Sequence, residues 1–334
     1  MYDLCKIIDS IKSHEDHKKL FPRASKATKG LTTLRGKYNF DDQVFSITSS
    51  LGKGASGRVM KGFFGIRPVV VKRNVNVPFQ EDVNESIMQT RLYCFLKQEG
   101  VSKNIAQIPE AIFTASIPGF GRVLGMEEVD TSMLEYVKSL KASDQIPWLC
   151  SAIERVCRLL ILLQQRFSFM HGDMHSENIM IRGDDVFLID FGMASAKFDK
   201  HPRLITNTRY EKVRFHSQLD LMTLLTSLRE DLGIVHHDKA AAWCGSFVNP
   251  YWDVVRKGVL ETPNTKLPYG ARRTVRTAID EINTNGEVYY AHHLLYEDIG
   301  RVSYPPCEPQ NLLSLLYSSK APTTLRQERL LEDI

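Results

Sequence analysis

An apolar run, Val186-Phe187-Leu188-Ile189, ends in Asp190-Phe191-Gly192, and a second aspartate, Asp173, stands just upstream with Asn178 shortly after it. This pattern constrains the fold more than any other in the chain. A buried strand that delivers a carboxylate into a turn must offer that charge a partner, because an uncompensated buried carboxylate is costly. The spacing leaves room for a loop, a short hairpin and a turn. It lets Asp173 accept a proton from an attacking hydroxyl while Asn178 ligates a divalent metal. Asp190 is expected to bind Mg²⁺ bridging nucleotide phosphates. Mg²⁺ keeps several waters and takes few protein oxygens, so one Asp and one Asn suffice.

Two further elements precede this pair in the order such chemistry requires. Gly52-Lys53-Gly54-Ala55-Ser56-Gly57-Arg58-Val59 fits GxGxxGxV. A dinucleotide fingerprint would open a helix, but here a β-type run lies on each side. Glycines in such a hairpin let backbone N–H groups approach phosphates without a Cβ clash. Leu51 and Val59 flank the loop, and Val59 is expected to cover a base. Val69-Val70-Val71 then ends in Lys72. A lysine closing a buried strand calls for an anionic partner, here the α- and β-phosphates of a nucleotide. The following helix, expected over 78–97, offers Glu81 and Glu85 to orient it. Glu85 is preferred because it shares a helix face with Met88, Leu92 and Leu96.

Short strands dominate early and helices late, which predicts an α+β, two-lobed plan with its boundary near Glu127. The expected divisions are a basic extension over 1–44, an N-lobe over 45–126, a helical C-lobe over 127–320 and a tail over 321–334. The extension, with Lys18, Lys19, Arg23, Lys26 and Lys29, is read as solvated and loosely structured. So is the helix face carrying Lys266, Arg272, Arg273 and Arg276. The 334 residues are 43% hydrophobic and 25% charged, enough for a sizeable core, and the net charge of +4 does not imply nucleic-acid binding. The six cysteines form no CxxC or tight cluster and are read as reduced thiols of an intracellular protein. No secretory signal or membrane-spanning run is expected.

From about residue 45 to at least 230 the chain resembles the eukaryotic-type protein kinase superfamily, as a divergent member of the kind carried by some large DNA viruses. The resemblance implies an antiparallel-sheet N-lobe, a helical C-lobe and ATP bound between them. It also implies Met126, Glu127, Glu128 and Val129 as gatekeeper and hinge, Asp130 toward the ribose, and Asp220 as the anchor of the catalytic loop. Three departures stand out. His171-Gly172-Asp173 lacks the arginine that pairs with a phosphorylated activation loop, so activity is expected not to need phosphorylation of Thr206 or Thr208. His175 replaces the usual lysine and is expected to hydrogen-bond the γ-phosphate. No Ala-Pro-Glu follows the activation segment, which is expected to be short. His-Gly-Asp with a following His and Asn is also similar to the aminoglycoside and choline phosphotransferases. The complete glycine loop and Asp-Phe-Gly favour a Ser/Thr-type protein kinase with a protein substrate. A small-molecule kinase is the alternative, and a pseudokinase scaffold a third reading.

Overall fold

The computed structural model describes residues 3–11, 17–26, 36–40, 43–53, 57–74, 77–101, 104–118, 120–198, 203–207, 215–236, 239–261 and 307–317. The chain divides into two units, Met1–Val101 with Gln107–Asp130, and Ser102–Ala106 with Thr131–Ile334. The fold class is α+β, with a curled antiparallel sheet early and helices late.

In the first unit seven strands lie in one sheet, in the order β1-β2-β3-β4-β5-β7-β6. They are β1 (Ser25–Lys26), β2 (Gly36–Phe40), β3 (Gln43–Lys53), β4 (Gly57–Phe64), β5 (Arg67–Asn74), β6 (Ala111–Ile117) and β7 (Gly121–Glu127). Side chains alternate across a strand. On β5, Val69 and Val71 therefore enter the apolar core with Tyr38, Phe45, Met60, Phe113 and Val123. Tyr38, Phe45, Phe113 and Phe64 form a run of ring contacts at 4.9–5.0 Å, each worth about 0.5–1.5 kcal/mol beyond area burial. Lys72 and Asn74 occupy the opposite face of β5. Helix α3 (Phe79–Gln98) begins after Pro78, with Glu81 and Asp82 in its first turn and Lys97 in its last, as the helix dipole favours.

The N-terminal segment was expected to be solvated, and the described parts of it are not. Helix α1 (Leu4–Ser10) buries Leu4 and Ile8, and Leu20, Phe21 and Ala24 are buried beyond α2 (His17–Leu20). Ala24 N–H donates to the Ser116 carbonyl at 3.0 Å, and Ser116 N–H donates to the Pro22 carbonyl at 2.9 Å. One short segment thus covers the edge of β6 and then, as β1, pairs with β2. Part of the β6 edge is thereby covered, and β1 itself becomes the other outer strand of the sheet. The basic count misled because the apolar residues between the charges pack.

The reading of six reduced thiols is also corrected. Cys5 on α1 and Cys94 on α3 form a disulfide with Cα atoms 6.1 Å apart, across 89 residues of sequence. Packing of α1 on α3 makes this pair, and no local spacing encodes it. The cysteines therefore give no argument for a reducing compartment. Cys150, Cys157, Cys244 and Cys307 form no disulfide, and burial pushes the thiols of Cys157 and Cys307 up.

The second unit contains β8 (Thr131–Ser132), α4 (Met133–Ser139), α5 (Ala142–Phe167), β9 (Ile179–Arg182) and β10 (Asp185–Leu188). After them come β11 (Ser195–Ala196), β12 (Leu204–Ile205), α6 (Leu219–His236), α7 (Lys239–Glu261) and α8 (Pro309–Tyr317). On α5, Ile153, Val156, Leu160 and Leu163 are all buried, as their helical spacing predicts. Ser168 then takes a left-handed φ of 46°, ends α5 and turns the chain into the segment that carries His171. Among the described residues no helix is long and apolar enough to cross a membrane. Residues 266–276 and 321–334, with their basic stretch and tail, lie outside the described residues.

Candidate active site

In the first unit, Lys72 ends the apolar part of β5 and is 9% exposed. Its Nζ donates to Glu85 Oε1 at 2.6 Å. Helical phase explains why it is Glu85, since α3 buries Asp82, Glu85 and Gln89 on successive turns of one face. Asn74 lies two residues beyond Lys72, on the same face of β5. Its Nδ2 donates to Glu85 Oε2 at 2.7 Å and to Asp82 Oδ1 at 2.9 Å. Arg122 of β7 donates through Nε to Asp82 Oδ2. Burial pushes the Asp82 carboxyl up, while Asn74, Arg122 and Lys72 pull it back. Phe21, Val123 and Leu124 complete the walls of a small cavity beside these groups.

The glycine-rich stretch is a β-hairpin, with Gly52 opposite Val59 and Lys53 opposite Arg58. Strand flanks therefore replace the helix that a dinucleotide fingerprint would open. Gly57 is needed for space, since a Cβ there would lie 2.6 Å from the Arg73 carbonyl oxygen. Leu51 is exposed and Val59 half-buried. Gly54 lies outside the described residues. Met126 is buried on β7, with Gln89 Nε2 3.8 Å from its sulfur. Glu127 N–H donates to the Glu110 carbonyl at 2.9 Å, Glu128 pairs with Lys61 at 2.5 Å, and Val129 and Asp130 follow before the chain enters the second unit.

In the second unit the backbone of the catalytic loop is fixed from below. The Asp220 carboxylate, fully buried in the first turn of α6, accepts from His171 N–H and from Gly172 N–H, both at 2.9 Å. Burial pushes the Asp220 carboxyl up, and His171 with the two amides opposes that. His171 Nε2 lies 2.9 Å from the Ile189 carbonyl oxygen and donates to it. Its Nδ1 lies 3.3 Å from Asp173 N. Asn178 Nδ2 donates to the Asp173 carbonyl at 2.7 Å, and Ile189 N–H donates to the Asn178 carbonyl at 3.0 Å. Asp173, Asn178 and Asp190 are therefore linked through one hydrogen-bonded backbone frame.

Two backbone positions in this frame carry strain. Asp190 has φ 62° and accepts from Gly192 N–H at 3.3 Å. A non-glycine residue there is held by its surroundings, a pattern that clusters at functional sites. Gly172 has φ 79°, and a Cβ would lie 2.5 Å from the Met193 carbonyl oxygen. The missing arginine is thus a matter of space and of backbone region. Asp173 and His175 are half-buried, with His175 Nε2 3.8 Å from Asp173 Oδ1. Thr206 is buried and its hydroxyl donates to the Ala194 carbonyl at 2.9 Å. Thr208 lies outside the described residues.

The donor set suits Mg²⁺. With Nδ2 committed to Asp173, Asn178 retains its Oδ1 as an oxygen donor, and Asp190 adds a carboxylate. Among the described residues no group of three or more His, Cys, Asp or Glu is gathered for a metal.

Asn74, Asp82 and Arg122 were missed in the sequence, as were Ser227 and Asp231. Ser227 Oγ accepts from Ser176 N–H at 2.9 Å, and Asp231 accepts from the Ser176 hydroxyl at 2.8 Å. Asn74 and Asp82 could have been found by phase, as i+2 from Lys72 on a strand and i−3 from Glu85 on a helix. Arg122 sits on a different strand and leaves no local signal.

Residues 115–197, which hold Asp173, Asn178 and Asp190, match the family model described as phosphotransferase enzyme family, APH. A curated protein of Methanothermobacter thermautotrophicus, named probable bifunctional tRNA threonylcarbamoyladenosine biosynthesis protein, is 27% identical over 146 residues, or 43% of this chain. The match spans 25% of that protein's length. These similarities support a kinase-like phosphotransferase and imply the use of ATP.

Proposed function

We propose that the protein transfers the γ-phosphoryl group of ATP, with Mg²⁺, to a protein hydroxyl of the Ser/Thr type. The observation that carries this reading is the catalytic loop frame. It fixes Asp173 and Asn178 one backbone hydrogen bond from the strand that ends in Asp190. The acceptor oxygen forms a bond to the γ-phosphorus as the bond to the β–γ bridging oxygen breaks, and Asp173 takes the hydroxyl proton. Lys72, oriented by Glu85, holds the α- and β-phosphates, and Gly52, Gly54 and Gly57 let backbone amides approach them. Leu51, Val59, Met126, Glu127, Val129 and Asp130 frame the nucleoside, and His175 hydrogen-bonds the γ-phosphate. Asn178 and Asp190 hold Mg²⁺, which when bound neutralises charge on the phosphate oxygens. Positioning and electrostatics account for most of the catalysis.

A second reading, transfer to a small alcohol, is favoured by the match of residues 115–197 to a phosphotransferase family. Radiolabelled ATP offered side by side with basic proteins, acidic proteins and small alcohols separates the two. Label on protein hydroxyls supports the first reading, and label confined to small alcohols supports the second. Asp190→Asn is the control for both. It should abolish metal-dependent transfer while leaving the fold intact, and unchanged turnover in that variant would overturn the assignment of the site.

A further inference from the structure

Lys72 and its partner Glu85 belong to a larger network of side chains. Residues 72 and 74 share a face of β5, and residues 82 and 85 share a face of α3. Lys72 meets Glu85 at 2.6 Å and Asn74 meets Asp82 at 2.9 Å, so strand and helix are joined by two rungs. The Asn74 amide also reaches across to Glu85 Oε2 at 2.7 Å, tying the rungs together. Both Glu85 oxygens are therefore engaged, one by Lys72 and the other by Asn74. Arg122 closes the far end. Its Nε donates to Asp82, its Nη2 donates to the Val77 carbonyl at 3.3 Å, and its guanidinium lies 5.0 Å from the Phe79 ring centroid. Two cations and two carboxylates balance, with a neutral amide between them.

We infer that Asn74 and Asp82 are positioning residues that set the direction of the Lys72 ammonium by fixing the free rotation of the Glu85 carboxylate. A carboxylate bonded at one oxygen can turn about its last torsion, whereas one bonded at both cannot. Asp82 performs the same service for Asn74, and Arg122 for Asp82. This inference rests on the reading of Lys72 as the phosphate-holding lysine, and it extends that role to residues that never touch the nucleotide.

The test reads Lys72 directly. Trace labelling of lysine amines with acetic anhydride, followed by peptide mass spectrometry, gives the Lys72 rate relative to exposed Lys37 and Lys97. Asn74→Ala should raise that ratio about twofold to 150-fold, the span of coupling within one hydrogen-bonded network. In a Glu85→Gln background the same change should add nothing. An unchanged ratio, or an additive one, overturns the inference. If Asn74→Ala fails to fold, the isosteric Asp82→Asn carries the test, with a smaller rise expected. The second readout is the affinity for ATP against that for adenosine, both with Mg²⁺. A positioning role lowers the first and spares the second, whereas a merely structural role lowers both. Wild-type protein that binds neither ligand would overturn the nucleotide reading, while the labelling ratio still judges the network.

Discussion

The Lys72 region and the Asp173–Asp190 region hold their reactive groups by opposite means. Around Lys72, side chains hold side chains. The ammonium, the Glu85 carboxylate and the Asp82 carboxylate are all buried and engage one another or Asn74 and Arg122. Around Asp173, backbone does the holding. Asp220 grips two amides, His171 bridges two backbone positions, and Asn178 grips a carbonyl, while Asp173 and Asp190 remain half-buried. In the first region the atoms proposed to hold phosphate also carry stability. In the second those tasks fall on different residues. A buried lysine must have its countercharge built in, whereas a carboxylate awaiting a proton or metal can be left at the surface of a rigid loop.

The largest expected effects test that division. Lys72→Met and Asp173→Asn should each lower phosphoryl transfer by about 10²–10⁴-fold. Their stabilities should part company. Lys72→Met removes the cation from the buried Glu85 carboxylate and should cost about 3 kcal/mol, the lower end for breaking a buried pair. Asp173→Asn should stay within about 0.5 kcal/mol of wild type, as changes at partly exposed positions do. Denaturant midpoints of the two variants decide it. Equal destabilisation would erase the contrast.

Asp220→Ala is the complementary case, since it touches no reacting atom. It strips the acceptor from two buried amides, each worth about 1–3 kcal/mol when left unsatisfied. A loss of about 2–5 kcal/mol is expected on that basis, together with reduced transfer that extra nucleotide does not restore. Full activity in a folded Asp220→Ala protein would show that the loop does not depend on its anchor.

What was legible in the sequence follows the same division. Glu85 could be named because helical periodicity places it on one face with Met88, Leu92 and Leu96, and Asp220 because the resemblance implies an anchoring aspartate at that helix start. The order of strands and helices was legible for the same reason. The support of Glu85 by Arg122 was not, because it joins α3 to a strand far along the chain. The burial of residues 20–24 and the Cys5–Cys94 pair also escaped. Both arise from long-range packing, and composition pointed the wrong way for each. At Gly172 the sequence showed that an arginine was missing. Only the structure shows why, through a left-handed backbone and a carbonyl in the way.

Gly172→Arg therefore makes an informative fourth variant. It should destabilise by about 1–2 kcal/mol for the left-handed backbone alone, and further for the contact with Met193. It should not create dependence on activation-loop phosphorylation, since the buried Thr206 hydroxyl is already bonded to Ala194. Thermal melts with and without phosphatase treatment check both parts. A stable, phosphatase-sensitive Gly172→Arg protein would mean that the loop tolerates an arginine at this position.

The smallest effect concerns pH and returns to α3. Tyr93 lies on that helix two turns beyond Glu85, and its hydroxyl is pushed up to about 12 by burial and then by Glu110 and Glu127. A folded pKa above the unfolded value of 10.0 means that the folded state keeps the proton longer. The stabilising contribution is whole below pH 10 and is lost as pH rises from there through about 12. Tyr93→Phe should flatten the fall in stability across that window and remove one late step from the tyrosinate absorbance titration. Such sensitivity is expected of a region held by side-chain charges. Should Tyr93→Phe leave the alkaline limb of the stability curve unchanged, α3 would be held by its apolar contacts alone, and the ladder at its other end would be the exception rather than the rule for this helix.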